Sequence, residues 1–113
     1  MITIYHNPKC GKSRDCLVFI QNSQNEYQII KYLETPLNYS ELEIILKKLQ
    51  LKPIALIRDK EKVWIENFKR KNLSDKQIIQ AMVDFPILIE RPIVVKDDKA
   101  VIARPLENIQ TII

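Results

Sequence analysis

The stretch from Ile2 to Leu33 constrains the fold more than any other. Ile2–Tyr5 is a short run of β-branched and aromatic residues. His6-Asn7-Pro8-Lys9 interrupts it with residues that favour turns. Apolar residues then recur at helical spacing, with Cys16, Leu17 and Ile20 on one face and Ser13 at its border. Tyr27–Leu33 is a second β-prone run. Two β-runs separated by a helix predict a βαβ unit, with its strands parallel.

Asn38-Tyr39-Ser40 opens a new helix, with Ser40 expected as N-cap and Glu43 as its capping-box partner. Leu42, Ile45, Leu46 and Leu49 form its apolar stripe. Pro53 punctuates the chain, and 54–72 reads as short helices. Another helix follows, capped by Ser74 with Gln77, carrying Ile78, Ile79 and Met82, and stopped by Pro86. Ile93–Val95 and Ala100–Ala103 flank Lys96-Asp97-Asp98-Lys99, a hairpin pattern in which the aspartates replace the usual glycine. From Pro105 onward the chain reads as a final short helix with Pro105 in its first turn. The order β-α-β, helices, β-β-α predicts an α/β fold of thioredoxin-like type. Its mixed four-stranded sheet carries a helical insertion at roughly 36–90 within one domain spanning 1–113.

Composition narrows the function classes. A chain of 113 residues that is 46% apolar can bury the core of one domain. The net charge of +4 is spread along the chain and favours anionic partners. Zinc-finger spacing and a basic region running into heptads are both missing, so no nucleic-acid partner is expected. No apolar run has the length of a membrane span, and the N-terminus lacks the pattern of a secretory signal. The expected location is the cytoplasm, where two cysteines stay reduced.

Cys10 stands where the first strand hands over to the first helix, followed by Gly11, the only glycine. A helix N-terminus offers free N–H groups and the positive end of the dipole, and both favour thiolate. Lys9, Lys12 and Arg14 add positive charge, and His6 lies four residues upstream. Ser13 holds the C-x-x-S position, from which its hydroxyl can reach the sulfur. Gly11 leaves room for a substrate against the backbone. A buried structural cysteine would have apolar neighbours, and these are polar and cationic. Cys16, beside Leu17 and Ile20, reads as a core residue. The alternative makes it a resolving thiol, but positions six apart on a helix are about 240° apart. His6 is either a group that tunes Cys10 or a polar loop residue. A zinc site from His6, Cys10 and Cys16 lacks a ligand pair at finger spacing. A tyrosine-phosphatase loop needs arginine where Cys16 stands. Arg91-Pro92 and Arg104-Pro105 flank the hairpin, and guanidinium forks suit tetrahedral oxyanions. Arg58 lies in the helical insertion.

Five segments carry a resemblance to a family: H-N-P-K-C-G-K-S-R at 6–14, Y-L-E-T-P at 32–36, R-D-K-E at 58–61, P-I-L-I-E-R-P-I-V-V at 86–95 and A-R-P at 103–105. Together they resemble the glutaredoxin-linked arsenate reductases. The resemblance implies that Cys10 is the catalytic cysteine and that Arg58, Arg91 and Arg104 bind the oxyanion. It further implies that His6, Ser13 and Arg14 surround the nucleophile, and that Pro92 is the proline that is cis in thioredoxin-like folds. The implied chemistry is reduction of arsenate through a Cys10 adduct, with glutathione as co-substrate, glutaredoxin as partner, and no metal or flavin. A monomer is expected. Two rival readings remain. Redox-responsive regulators that dock on RNA polymerase share the fold but usually carry C-x-x-C and tend to lack the last Arg-Pro. A general glutathione-dependent thiol oxidoreductase is the other.

Overall fold

β1 (Ile2–Tyr5) is the spine of a four-stranded sheet ordered β2-β1-β3-β4. It runs parallel to β2 (Tyr27–Ile30) and antiparallel to β3 (Ile93–Lys96), which turns back as β4 (Lys99–Ile102). The computed structural model describes residues 1–113. The chain divides into two compact units, Met1–Thr35 with Arg91–Ile113, and Pro36–Glu90.

In the sheet-bearing unit, α1 (Gly11–Gln21) bridges β1 and β2, the crossover that parallel strands require. The alternation of a strand turns Ile2 and Ile4 to one side, where they are buried with Cys16 and Ile20 of α1, Val94, Ala103 and Ile109. β2 is shorter than the run from Tyr27 to Leu33 predicts. Beyond Ile30 the chain turns, and the Lys31 carbonyl accepts from the N–H groups of Glu34 (2.9 Å) and Thr35 (2.8 Å). In the hairpin, Asp97 takes φ 57, the left-handed conformation that glycine usually supplies. Aspartate tolerates it because its short side chain can bond locally. The last segment, Leu106–Thr111, is a 3₁₀ helix with Pro105 as its N-cap, one position outside the expected first turn. Leu106, Ile109 and Ile112 repeat every third residue and pack on the core, which suits three residues per turn.

The helical unit holds α2 (Tyr39–Leu49), α3 (Lys62–Asn67) and α4 (Asp75–Asp84), with 3₁₀ turns at Pro53–Leu56 and Pro86–Leu88. The N-cap of α2 is Asn38, not Ser40. Asn38 Oδ1 accepts from the Glu41 N–H at 2.8 Å, and Glu41 Oε1 accepts from the Asn38 N–H at 3.0 Å. Both Asn38/Glu41 and Ser40/Glu43 have capping-box spacing, and the earlier pair gains further helical hydrogen bonds. Ser74 and Gln77 cap α4 as the sequence predicts. Trp64 stacks on Phe68 at 5.4 Å, and Phe68 meets Phe85 edge-on at 5.9 Å. No helix is long and apolar enough to cross a membrane.

Candidate active site

Cys10 is the N-cap of α1, with extended backbone (φ −98°, ψ 123°). Its own N–H donates to the Asn7 carbonyl at 3.0 Å, so the preceding loop turns tightly and aims the side chain along the helix start. Cys10 is 8% exposed. Burial alone pushes its thiol up. The Ser13 N–H, the Arg91 guanidinium and the Lys12 N–H all favour the charged sulfur, outweigh this and hold its pKa below the value of a free thiol. Cys10 thus stands at the first turn, where the amides a helix leaves unpaired favour a thiolate.

The Ser13 hydroxyl does not serve the sulfur, as the C-x-x-S spacing suggests. It is fully buried, 2.6 Å from His6 Nδ1, and accepts from the Asn7 N–H at 3.0 Å. Ser13 therefore reaches Cys10 through its main chain and pins the loop through its side chain. Burial lowers the pKa of His6, the charges of Lys31 and Arg14 lower it further, and the Ser13 hydrogen bond opposes them. The result favours a neutral ring. Arg14 donates to the Pro8 carbonyl at 3.0 Å, closing the loop from outside. Asn7 is the residue sequence reasoning passed over. It is 5% exposed, and its Oδ1 accepts from the Lys9 N–H at 3.0 Å. An Asn-Pro pair before the nucleophile was the available signal.

The sheet register explains how a distant arginine reaches this loop. Tyr5, Ile93 and Ile102 form one rank across β1, β3 and β4. Arg91 precedes β3 by two residues and Arg104 follows β4 by two, so both leave the sheet at the end where Cys10 stands. The Ala103 N–H donates to the Pro92 carbonyl at 3.0 Å, tying the two segments together. Arg91-Pro92 is cis, as the resemblance implies for Pro92, and Arg104-Pro105 is cis as well. Arg58 belongs to the helical unit. There its guanidinium pairs with Glu61 at 3.3 Å and Glu90 at 3.0 Å. The adjoining backbone is fixed by Arg58 N–H to Leu88 carbonyl (2.8 Å) and Glu90 N–H to Leu56 carbonyl (2.9 Å).

Cys16 lies in the core, with no exposed surface, and burial pushes its thiol up to about 12. Both cysteines are free. Gly11 has open space above it: a Cβ there would meet only the Arg14 side chain, at 3.6 Å. No group of three or more His, Cys, Asp or Glu side chains is placed to hold a metal ion.

A thiol lowered in pKa at the start of the helix that follows β1, with an arginine beside a cis proline at the same end of the sheet, belongs to a thioredoxin-like fold. Among such proteins, the ArsC family model matches residues 5–112, and the chain belongs to the ArsC family. It is 43% identical over 114 aligned residues to the uncharacterized protein YfgD of Escherichia coli K12, covering 99% of this chain and 96% of that one. It is 39% identical to an arsenate reductase of Neisseria meningitidis serogroup A, covering 99% and 97%. The solved structure of an arsenate reductase from Vibrio cholerae superposes with a TM-score of 0.94 at 42% identity, covering 99% and 97%.

Proposed function

We propose that this chain reduces arsenate to arsenite in the cytoplasm, through a Cys10 thiol–arsenate adduct, with glutathione and glutaredoxin as reductants. One observation carries the proposal: Cys10 is the N-cap of α1, where the first-turn N–H groups and the Arg91 guanidinium favour its thiolate. The same donors that stabilise a thiolate suit an incoming oxyanion. Arginine forks alone fit arsenate and phosphate equally. The redox step separates them, because arsenic(V) accepts an electron pair from thiols and phosphorus(V) does not. Membership of a family with arsenate reductases at about 40% identity supports arsenate.

In the proposed cycle, the Cys10 thiolate displaces one arsenate oxygen as water and forms a sulfur–arsenic bond. The glutathione thiol displaces a second oxygen as water, adding a second sulfur–arsenic bond. A glutaredoxin thiolate attacks the glutathionyl sulfur. That sulfur–arsenic bond breaks, its electron pair stays on arsenic, and the mixed disulfide leaves. Water then releases arsenite and restores Cys10. Arg91 and Arg104 hold the oxyanion, with Arg58 as a third arginine on the strength of the sequence resemblance. His6, Ser13, Arg14 and Pro92 support the nucleophile loop. The test is NADPH oxidation coupled through glutathione reductase, with arsenate, glutathione and glutaredoxin. Arsenate-dependent turnover is expected from the wild type and none from Cys10→Ser. A folded wild type with no arsenate-dependent turnover, but with glutathione–disulfide exchange, would transfer the assignment to a general thiol oxidoreductase.

A further inference from the structure

A cavity of about 350 Å³ opens beside the nucleophile loop, lined by His6, Pro8, Lys9, Lys31, Leu33 and Glu34 among others. It lies within the sheet-bearing unit, and its two walls are tied at the base. The His6 N–H donates to the Ile30 carbonyl at 2.8 Å, and the Lys31 carbonyl gathers the N–H groups of Glu34 and Thr35. His6, 4% exposed and held by Ser13, gives the cavity a rigid inner wall. Lys31 lies close enough to act on the charge of His6. The volume falls in the range of small-molecule sites, about 300–1,000 Å³.

The charge pattern of the lining selects an occupant. Two lysines and one glutamate present two cations and one anion over the apolar surface of Leu33. Glutathione carries the complement, two carboxylates and one ammonium, on a tripeptide backbone. A free arsenate or phosphate dianion fits poorly, since Glu34 repels it and the lining holds no arginine for a bidentate grip. The loop that forms one wall, His6–Lys9, leads directly into Cys10, so a tripeptide held here lies against the loop that carries the nucleophile. We propose that this cavity is the glutathione site, with Lys9 and Lys31 meeting the two carboxylates and Glu34 the ammonium. The proposal rests on the glutathione-dependent cycle above and gives its second thiol a place to bind.

The test uses the full-length chain and S-methylglutathione, which binds without reacting, so it needs no turnover. Proton–nitrogen NMR titration of the wild type is expected to shift the amides of His6, Lys31, Leu33 and Glu34. Reversing one exposed attraction makes a repulsion of similar size, so Lys31→Glu should weaken binding about tenfold. Glu34→Lys should weaken it similarly. Both side chains are exposed, and the amide spectrum reports folding in the same experiment. In the coupled assay the glutathione KM should rise by the same factor in both variants, and in Glu34→Lys, whose charge does not act on His6, the arsenate KM and Cys10 alkylation should stay unmoved. Reduction driven by dithiothreitol, which has no carboxylates, should be indifferent to Glu34→Lys. Shifts that map elsewhere, or affinity unchanged in both variants, overturn the site. Binding here by a chain that never turns over arsenate would instead overturn the proposed function and leave the site standing.

Discussion

Arg91→Ala removes the one side chain that lowers the Cys10 pKa and leaves the Lys12 and Ser13 N–H groups in place. A hydrogen bond to a charged group contributes about 1.5–3 kcal/mol. With two main-chain donors retained, the lower end of that range applies. Below the thiol pKa, the thiolate population, and with it the alkylation rate, should fall about tenfold, since ~1.4 kcal/mol is one factor of ten. The assay is iodoacetamide labelling against pH, with peptide mapping to Cys10 and circular dichroism to check folding. The midpoint should move up toward that of a free thiol, and the two proteins should converge at pH well above both midpoints. Arsenate turnover should not converge, because the oxyanion contact is lost as well. Arg91→Lys keeps the charge without the planar fork, so it should restore part of the midpoint and little of the turnover. The same ionisation couples to folding. The folded thiol ionises below its unfolded value, so its stabilising contribution is complete above the free-thiol pKa. It is lost as pH falls through the folded pKa. A folded Arg91→Ala protein with an unchanged labelling midpoint would refute the reasoning.

Cys16→Ala should retain turnover per folded molecule while lowering urea stability by about 1–2 kcal/mol. Native Cys16 should resist iodoacetamide until denaturant exposes it, because its thiol is buried and pushed up to about 12. Asn38→Ala should reduce stability by about 1 kcal/mol, and Ser40→Ala should stay within about 0.5 kcal/mol in the same denaturation series, with activity unaffected by either. Gly11→Ala should raise stability by about 0.4–1 kcal/mol, since the added methyl meets no backbone. Its turnover should drop if arsenate passes over that methyl, and an unchanged kcat/KM would place the approach elsewhere.

What the sequence made legible was what nearby residues decide. The βαβ start, the Ser74 cap and the aspartate turn each depend on a few consecutive positions, and each formed. Asn38 prevailed over Ser40 because two capping boxes overlapped and local rules rank their caps alike. The last helix tightened to 3₁₀ because its apolar residues come at every third position, a spacing that α-helical pattern reading absorbs without complaint. At the candidate site, Cys10 and its main-chain donors could be placed from Pro8 and the helix pattern alone. The bond from Ser13 to His6 could not, since a hydroxyl at C-x-x-S has several partners within reach and burial chooses among them. Arg91 needed the antiparallel pairing of β1 with β3, a long-range fact that enters a sequence reading only through an assumed topology. The pairing of Arg58 with Glu90, 32 residues on, has no local signature at all.

Cys16 shares its helix with Cys10, and six positions set it about 9 Å further along the axis and on another face. Sealed among isoleucines, it stands apart from the nucleophile, and the proposed cycle draws no electrons from it. A dithiol protein can take a first oxidising hit by closing on itself and wait in that state for repair. The proposed cycle uses no such resting form, so in it Cys10 must be cleared by a foreign sulfur every time. Its throughput then tracks the thiol supply around it, and scarcity of small thiols would stall it without loosening a single core contact.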